Sequence, residues 1–289
     1  SARVMDTLGR EVDTISGALT EMAPSIDKDH AMDMIYEPKK IIHILNIDNF
    51  FPELFELCFP TVERYAKKHG YEINLITERK FPEWHINYEK MQVWEDGKDA
   101  DVNVLMDADV LIHPMMKDFA FIVPPTHIGF NDNYFMRTKF RVVNRSHEMD
   151  FIRDQRNIGV ASNLVVAHKS THCVFEPLDI TPEEGRKICT VREGDIDEYT
   201  ISHNVAKYGL KYCGITWEDW MRNFLVHTGT GDKDLALRMA TSTLEKWKKR
   251  NWKSFYPQGY DISQVYTQEE LNSEYNDTNF VIPQERIIV

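Results

Sequence analysis

The chain has 289 residues, 42% of them hydrophobic and 28% charged, the proportions of an ordinary globular protein with length for one large domain or two small ones. Its formal net charge of -12 excludes a protein that coats nucleic acid, which needs a basic face. No apolar run reaches the roughly 18 residues of a membrane span, and Arg3, Asp6, Arg10, Glu11 and Asp13 are not the residues of a signal peptide.

Val4, Leu8, Val12, Ile15 and Leu19 recur at three- and four-residue spacing and predict an amphipathic helix within an N-terminal extension, 1–38. It is expected to pack on the domain or on a neighbouring subunit, the latter giving a homo-oligomer. The chain begins at Ser1-Ala2 and not at Met, which leaves a signal or anchor ahead of it open. Ile41 to Asn46 is a short β-branched run, a buried-strand pattern. A helix is predicted from Pro52, suited to a first turn, to His69, with Gly70 as its C-cap. Residues 71–76 read as a second strand, 87–96 as a helix stopped by Gly97, and 102–106 as a third strand. This alternation predicts a parallel sheet with crossover helices, and ligands bind such sheets beyond the carboxyl ends of the strands. Asp48-Asn49 and Asp107-Ala108-Asp109 follow two strand ends, so they are expected on one rim.

The second half is less regular. Residues 110–112 continue as a strand, and two apolar pieces, 121–123 and 128–130, flank Pro124-Pro125. Ile158 to Ala167 reads as a buried strand, 196–208 as a helix ending at Gly209, and 234–250 as a helix with a basic last turn that suits the negative end of its dipole. The domain is therefore placed at 39–250, with a polar, aromatic tail over 251–289. Cys58, Cys173, Cys189 and Cys213 form no Cys-x-x-Cys pair, and suit buried thiols in a reducing, cytoplasmic compartment.

The strongest chemical signal is the pair Asp107 and Asp109 between apolar strands. Carboxylates at i and i+2 of an extended segment face one side, and hard oxygen ligands suit Mn2+ or Mg2+. Such a cation would supply the positive charge that an acidic protein needs to hold a diphosphate. The alternative is a turn with two solvated aspartates. Farther on, His227 follows an apolar pair and leads into Thr228-Gly229-Thr230-Gly231-Asp232-Lys233. An imidazole completes a carboxylate metal site, glycines at 229 and 231 let backbone amides approach a phosphate, and Lys233 adds a point charge. The alternative is a surface loop with a stray histidine.

In their order, these motifs resemble the GT-A glycosyltransferases, most closely the retaining enzymes related to glycogenin and bacterial α-galactosyltransferases. The resemblance covers about 40–235 and implies an α/β fold, a Rossmann-like mixed sheet flanked by helices in a single domain. It implies Asp107, Asp109 and His227 as ligands of Mn2+ or Mg2+, with Ala108 and the glycine loop on a nucleotide-sugar donor, a UDP-sugar first of all. Asn46, Asp48, Asn49 and Phe50 resemble the loop that holds nucleobase and ribose, although Asp48 or Asn49 is equally suited to cap the following helix. Lys90 stands where related enzymes carry a basic residue reaching the donor phosphates; the alternative is a solvated helix lysine. Asn163 resembles the asparagine bordering the donor sugar, and Asp197 or Glu198 an acidic residue near the reacting centre. Both acids would also suit a helix N-terminus without any further role.

Two departures stand out. The late motif of the family runs His-x-x-Gly-x-x-Lys, whereas here the glycines lie at offsets two and four. Asp48 and Asp107 are closer together than is usual in the family, implying a compact version that lacks a strand–helix unit. The resulting expectation is transfer of a sugar to a carbohydrate or other hydroxyl acceptor, with retention. An inverting enzyme using Asp197 or Glu198 as base, a nucleotidyltransferase and a non-catalytic module are the rivals. No GxxxxGK[ST] or GxGxxG phosphate loop supports the nucleotidyltransferase. Trp84, Trp217 and Trp220 offer stacking surfaces for an acceptor sugar.

Overall fold

The computed structural model describes residues 37–131, 161–189, 193–215 and 219–272. The predicted N-terminal helix, Trp217, the side chain of Trp220 and the end of the tail lie outside them. The apolar runs form a mixed, mostly parallel sheet, as expected for a Rossmann-like domain. Its strands are β1 (Lys40–Leu45), β2 (Tyr71–Ile76), β3 (Val102–Asp107), β5 (His127–Phe130), β6 (Leu164–His168) and β7 (Lys211–Gly214), in the order β2-β1-β3-β6-β5-β7. β1 runs parallel to β2 and β3, and β5 to β7, while β6 is antiparallel to both its neighbours. A separate two-stranded ribbon pairs β4 (Val110–Ile112) with β8 (Leu225–His227).

Helix α1 (Pro52–His69) starts on its proline and stops where Gly70 turns left-handed at φ 68°, a conformation that costs a residue with a Cβ. It is followed by α2 (Pro182–Ile188), α3 (Ile196–Lys207) and α4 (Lys233–Lys249). Residues 87–96 depart from the expected α-helix: Ile86–Gln92 wind as a 3-10 run before one α-turn, Val93–Asp96. The run is anchored by the buried carboxylate of Glu89, which accepts the backbone N–H of Lys80 and Phe81 and the Arg79 guanidinium. Residues Phe119–Ile122, which include most of the first apolar piece, form a helical turn that Asp118 caps by accepting from Ala120 N. The strand expected from Ile158 begins, among the described residues, only at Leu164. Asn163 turns the chain into it while its carbonyl accepts the Asp107 N–H at 2.9 Å.

Alternation along the strands feeds two cores. Ile42, Ile44, Val104, Met106 and Val166 join α1 and α4 on one face; Leu105, Val165 and Ala167 join α3 on the other. The first core also takes in Trp252, Phe255, Tyr256 and Tyr266 from the expected tail, so its described part is packed structure. Tyr266 donates to Met115 O at 2.8 Å and receives from Tyr256 at 2.7 Å. Aromatic anchors of this kind follow no helical or strand period, which is why the sequence pattern missed them.

On the second face a polar strip crosses the sheet. His172 Nε2 donates to Trp94 O, so its Nδ1 accepts from Asn103 Nδ2; Asn103 Oδ1 accepts from His43 Nε2, and His43 Nδ1 accepts from Asn74. Each imidazole is thereby kept neutral. Burial lowers the His43 pKa to about 4 from 6.5, against the opposing pull of Asn103 and Asp96 and with a small push from His172. Burial likewise lowers His113 to about 3, walled by Phe224, Trp247 and Phe255. A histidine with a depressed folded pKa stabilises the fold fully above its unfolded value and loses that contribution as pH falls toward the folded one. For His43 the window runs from 6.5 down to about 4, and the loss across it is ~3 kcal/mol. Urea unfolding at stepped pH is expected to show stability falling through this window, with the slope reduced by up to one proton in His43→Gln; an unchanged slope in that variant would contradict the assignment.

Candidate functional site

Strand β3 delivers Asp107 to the carboxyl rim of the sheet, and the turn through Ala108 brings Asp109 beside it. The ribbon then supplies the distant partner. Val110 of β4 lies opposite His227 of β8, and Thr228 fastens the junction by donating its N–H and hydroxyl to Asp109 O at 3.0 and 2.8 Å. His227 Nε2 therefore lies 3.2 Å from Asp109 Oδ1 and 3.8 Å from Asp107 Oδ2. One ligand atom from each of the three residues falls within 4.8 Å of the others. Gly229 closes over the cluster: a Cβ there would come 2.4 Å from His227 Nε2 and 2.5 Å from Asp109 Oδ2. Gly231 has no such constraint, since a Cβ there meets open space.

The second oxygen of Asp107 is held from behind. Lys90 Nζ lies 2.6 Å from Asp107 Oδ1, 2.9 Å from Asp197 Oδ2 and 3.0 Å from Ser162 Oγ. Lys90 is only 4% exposed, so it is not a solvated helix lysine. Burial alone would lower its pKa, but Asp107 and Asp197 outweigh that and raise it. Burial raises Asp107 despite the opposing Lys90, whereas His227 overcomes burial at Asp109 and lowers it. In return Asp109 overcomes burial at His227 and raises the imidazole.

The donor set, two carboxylates and one imidazole, fits Mn2+ or Mg2+. Asp109 Oδ1 fits that use: it is buried, and it faces His227 Nε2 across 3.2 Å, as two ligands of one shared cation would.

A cleft of about 500 Å³ opens onto this cluster. Its walls include Asn46, Ile47 and Phe50 after β1, Lys90, Asp107, Ala108 and Asp109, and the late loop with Gly229, Gly231 and Lys233. Lys233 is the first residue of α4, at the positive end of the helix dipole, and its ammonium lies over Phe50 and Phe51 at 4.8 and 4.9 Å. Among the described residues it pairs with no carboxylate, an arrangement that favours an anion in the cleft. Asp48 and Asn49 sit beside the cleft without lining it, both left-handed, at φ 56° and 47°. Neither caps α1, whose N-cap is Phe51 without a side-chain bond.

Asn163, Asp197 and Glu198 stand outside the cleft lining. Asp197 is 1% exposed and bound to Lys90, and its Oδ1 accepts the Glu198 N–H. The Asn163 side chain is buried, with neither polar atom hydrogen-bonded among the described residues. Trp84 stacks on Tyr88 at 4.1 Å and packs toward Gly185, a packing role. Sequence reasoning gave Ser162 and Thr228 no polar role of their own and passed over His85 and Asn87, which line the cleft. Small polar residues carry no period or spacing, so only their neighbours in space single them out.

No family model matches the chain, and no curated protein matches it. Among solved structures it is similar to a glycosyltransferase involved in glycosylation of the major capsid of PBCV-1, at 11% identity over 70% of this chain and 99% of that one, with a TM-score of 0.43. It is similar to the glycosyltransferase GlyE of Streptococcus pneumoniae TIGR4, at 9% identity over 78% and 67%, with a TM-score of 0.39. A third likeness is to a mutant Drosophila β1,4-galactosyltransferase 7 in complex with manganese, UDP-Gal and xylobiose, at 9% identity over 66% and 71%, with a TM-score of 0.39. Likenesses this distant carry no residue roles across; the roles proposed below come from the side chains of this chain.

The two glycines provide a sharp contrast. Gly229→Ala is expected to weaken Mn2+ binding, measured by calorimetry, by at least about tenfold while the fold persists, whereas Gly231→Ala leaves it unchanged. Equal effects of the two substitutions would refute the close packing at 229.

Proposed function

We propose that this chain is a metal-dependent glycosyltransferase, moving a sugar from a nucleoside diphosphate donor to an acceptor hydroxyl with retention of configuration. The observation that carries the reading is the cluster Asp107, Asp109 and His227 on a sheet rim, beside a cleft that Asp107, Asp109 and Lys233 also line. Asp107, Asp109 and His227 would hold Mn2+ or Mg2+. When bound, the cation neutralises the diphosphate and makes it a better leaving group. Lys233 would bind the phosphates within the cleft, and the open approach at Gly231 admits them to backbone N–H groups. Phe50, Asn46 and the apolar wall with Ile47 would receive the nucleoside, for which uridine is the first candidate.

Retention is proposed from the resemblance of the late His227 motif to the retaining enzymes. Among the described residues the carboxylates of the cleft are Asp107 and Asp109, both engaged with His227 or Lys90. Among the described residues no third carboxylate lines it that could act as a base for an acceptor. In the retaining reading the acceptor oxygen attacks the anomeric carbon from the side of the departing phosphate. The bond from that carbon to the phosphate oxygen breaks, and the acceptor proton passes to the phosphate. The cysteines are thiols, two of them, Cys58 and Cys189, buried, which supports a reducing compartment such as the cytoplasm. Among the described residues no helix is long and apolar enough to cross a membrane.

Incubation with a panel of UDP-sugars and Mn2+ is expected to release UDP, and EDTA to stop the release. Asp109→Asn should lower metal-dependent UDP affinity by about a hundredfold or more, since it removes a direct ligand. Turnover of a nucleoside triphosphate with no UDP-sugar cleaved, or unchanged UDP affinity in Asp109→Asn, would overturn the reading.

A further inference from the structure

We infer that Asp197 and Ser162 are positioning residues, which act through Lys90 to hold Asp107 as a one-oxygen metal ligand, and that Asp197 is not the base for the acceptor. This inference rests on the metal-site reading above.

Three separate elements meet at the Lys90 ammonium. Lys90 comes from the 3-10 run Ile86–Gln92, Ser162 from the turn before β6, and Asp197 from the first turn of α3. All three are buried, at 4%, 3% and 1% exposure. An ammonium has three N–H donors, and here each has a partner: Asp107 Oδ1, Asp197 Oδ2 and Ser162 Oγ. The Ser162 hydroxyl donates its own hydrogen bond to Asp197 Oδ2 at 2.5 Å. Asp197 Oδ1 accepts the Glu198 N–H at 2.8 Å. Both oxygens of Asp197 are thus engaged, and neither reaches the cleft. A carboxylate so placed is unsuited to collect a proton from a substrate in that cleft.

The same geometry fixes Asp107. With Oδ1 on Lys90, only Oδ2 is presented toward His227 and Asp109. Asp197 also balances charge. If it were neutral, the ammonium would rest on Asp107 alone, draw that carboxylate toward itself and repel a cation bound next to it. Ser162 steers the ammonium and the Asp197 carboxylate into one arrangement. Outer partners of this kind typically change metal affinity by ~10–100-fold.

The test is calorimetry of the full chain with Mn2+ alone. Asp197→Asn is expected to weaken Mn2+ binding by about tenfold or more, and Ser162→Ala by about threefold. In a Lys90→Met background, Asp197→Asn should change Mn2+ affinity by less than about twofold, because its route of action is gone. The inference is overturned if Asp197→Asn alone leaves Mn2+ affinity unchanged, above all if it still abolishes sugar transfer, or if the effects of the two substitutions multiply. Should Asp197→Asn not fold, Ser162→Ala decides: unchanged Mn2+ affinity there would equally overturn the inference. If the wild-type chain takes up no Mn2+, the proposed metal site fails on its own account. The Lys90–Asp197 coupling is still read by urea unfolding, where non-additive losses support the lock and additive losses refute it.

Discussion

Two aspartates at the end of a buried strand, in a chain whose net charge is -12, have to be neutralised. A carboxylate held away from water is costly unless an opposite charge or several donors meet it. At β3 the cost is met from two sides. Lys90 lies against Asp107 from behind, and His227 stands across from Asp107 and Asp109 in front. Much of the local architecture can be traced to these two contacts: the 3-10 run that aims Lys90, the buried Asp197 that balances it, and the ribbon that carries His227.

The sheet makes this convergence geometrically simple. Because β6 is antiparallel, its starting end lies on the same rim as the ending ends of β1 and β3. Ser162 and Asn163 are therefore placed beside Asp107 by strand direction alone. The β4–β8 ribbon works differently. It forms no part of the main sheet, yet its register puts His227 opposite Val110, one residue past Asp109. Gly229 then passes so close to the cluster that a single added carbon would strike two of its ligand atoms. Stability and site are separately built: the buried histidine strip and the aromatic tail support the cores, while the rim carries the charges.

The sheet also shows where acidic chemistry is available and where it is not. Asp197 has the sequence position of a reactive acid but the surroundings of a counter-ion. Lys90 has the sequence position of a solvated lysine but the burial of a core residue. In both cases the identity of the side chain was a fair guide to charge and a poor guide to role. Role depends on what the opposite charge is already bound to.

Much of the fold was legible in sequence because its signals are local and periodic. The strand patterns at 41–46, 71–76 and 102–106, and the Pro52 and Gly70 brackets of α1, follow from strand burial and from backbone limits that act over a few residues. So was the carboxylate pair Asp107 and Asp109, because carboxylates at i and i+2 after an apolar strand can be read without knowing what lies nearby, whereas His227 entered the ligand set only through the resemblance. The sequence by itself thus determined where the strands end and which charged groups stand there. Tertiary structure alone decided which of those groups meet: His227 through the ribbon register, Lys90 and Asp197 through the packing of a 3-10 run on a helix start, and the tail aromatics through the core they enter. The physical reason is range. Dihedral preference and hydrophobic period act between near neighbours in the chain, whereas neutralising a buried charge is settled by whichever distant group the fold brings within reach.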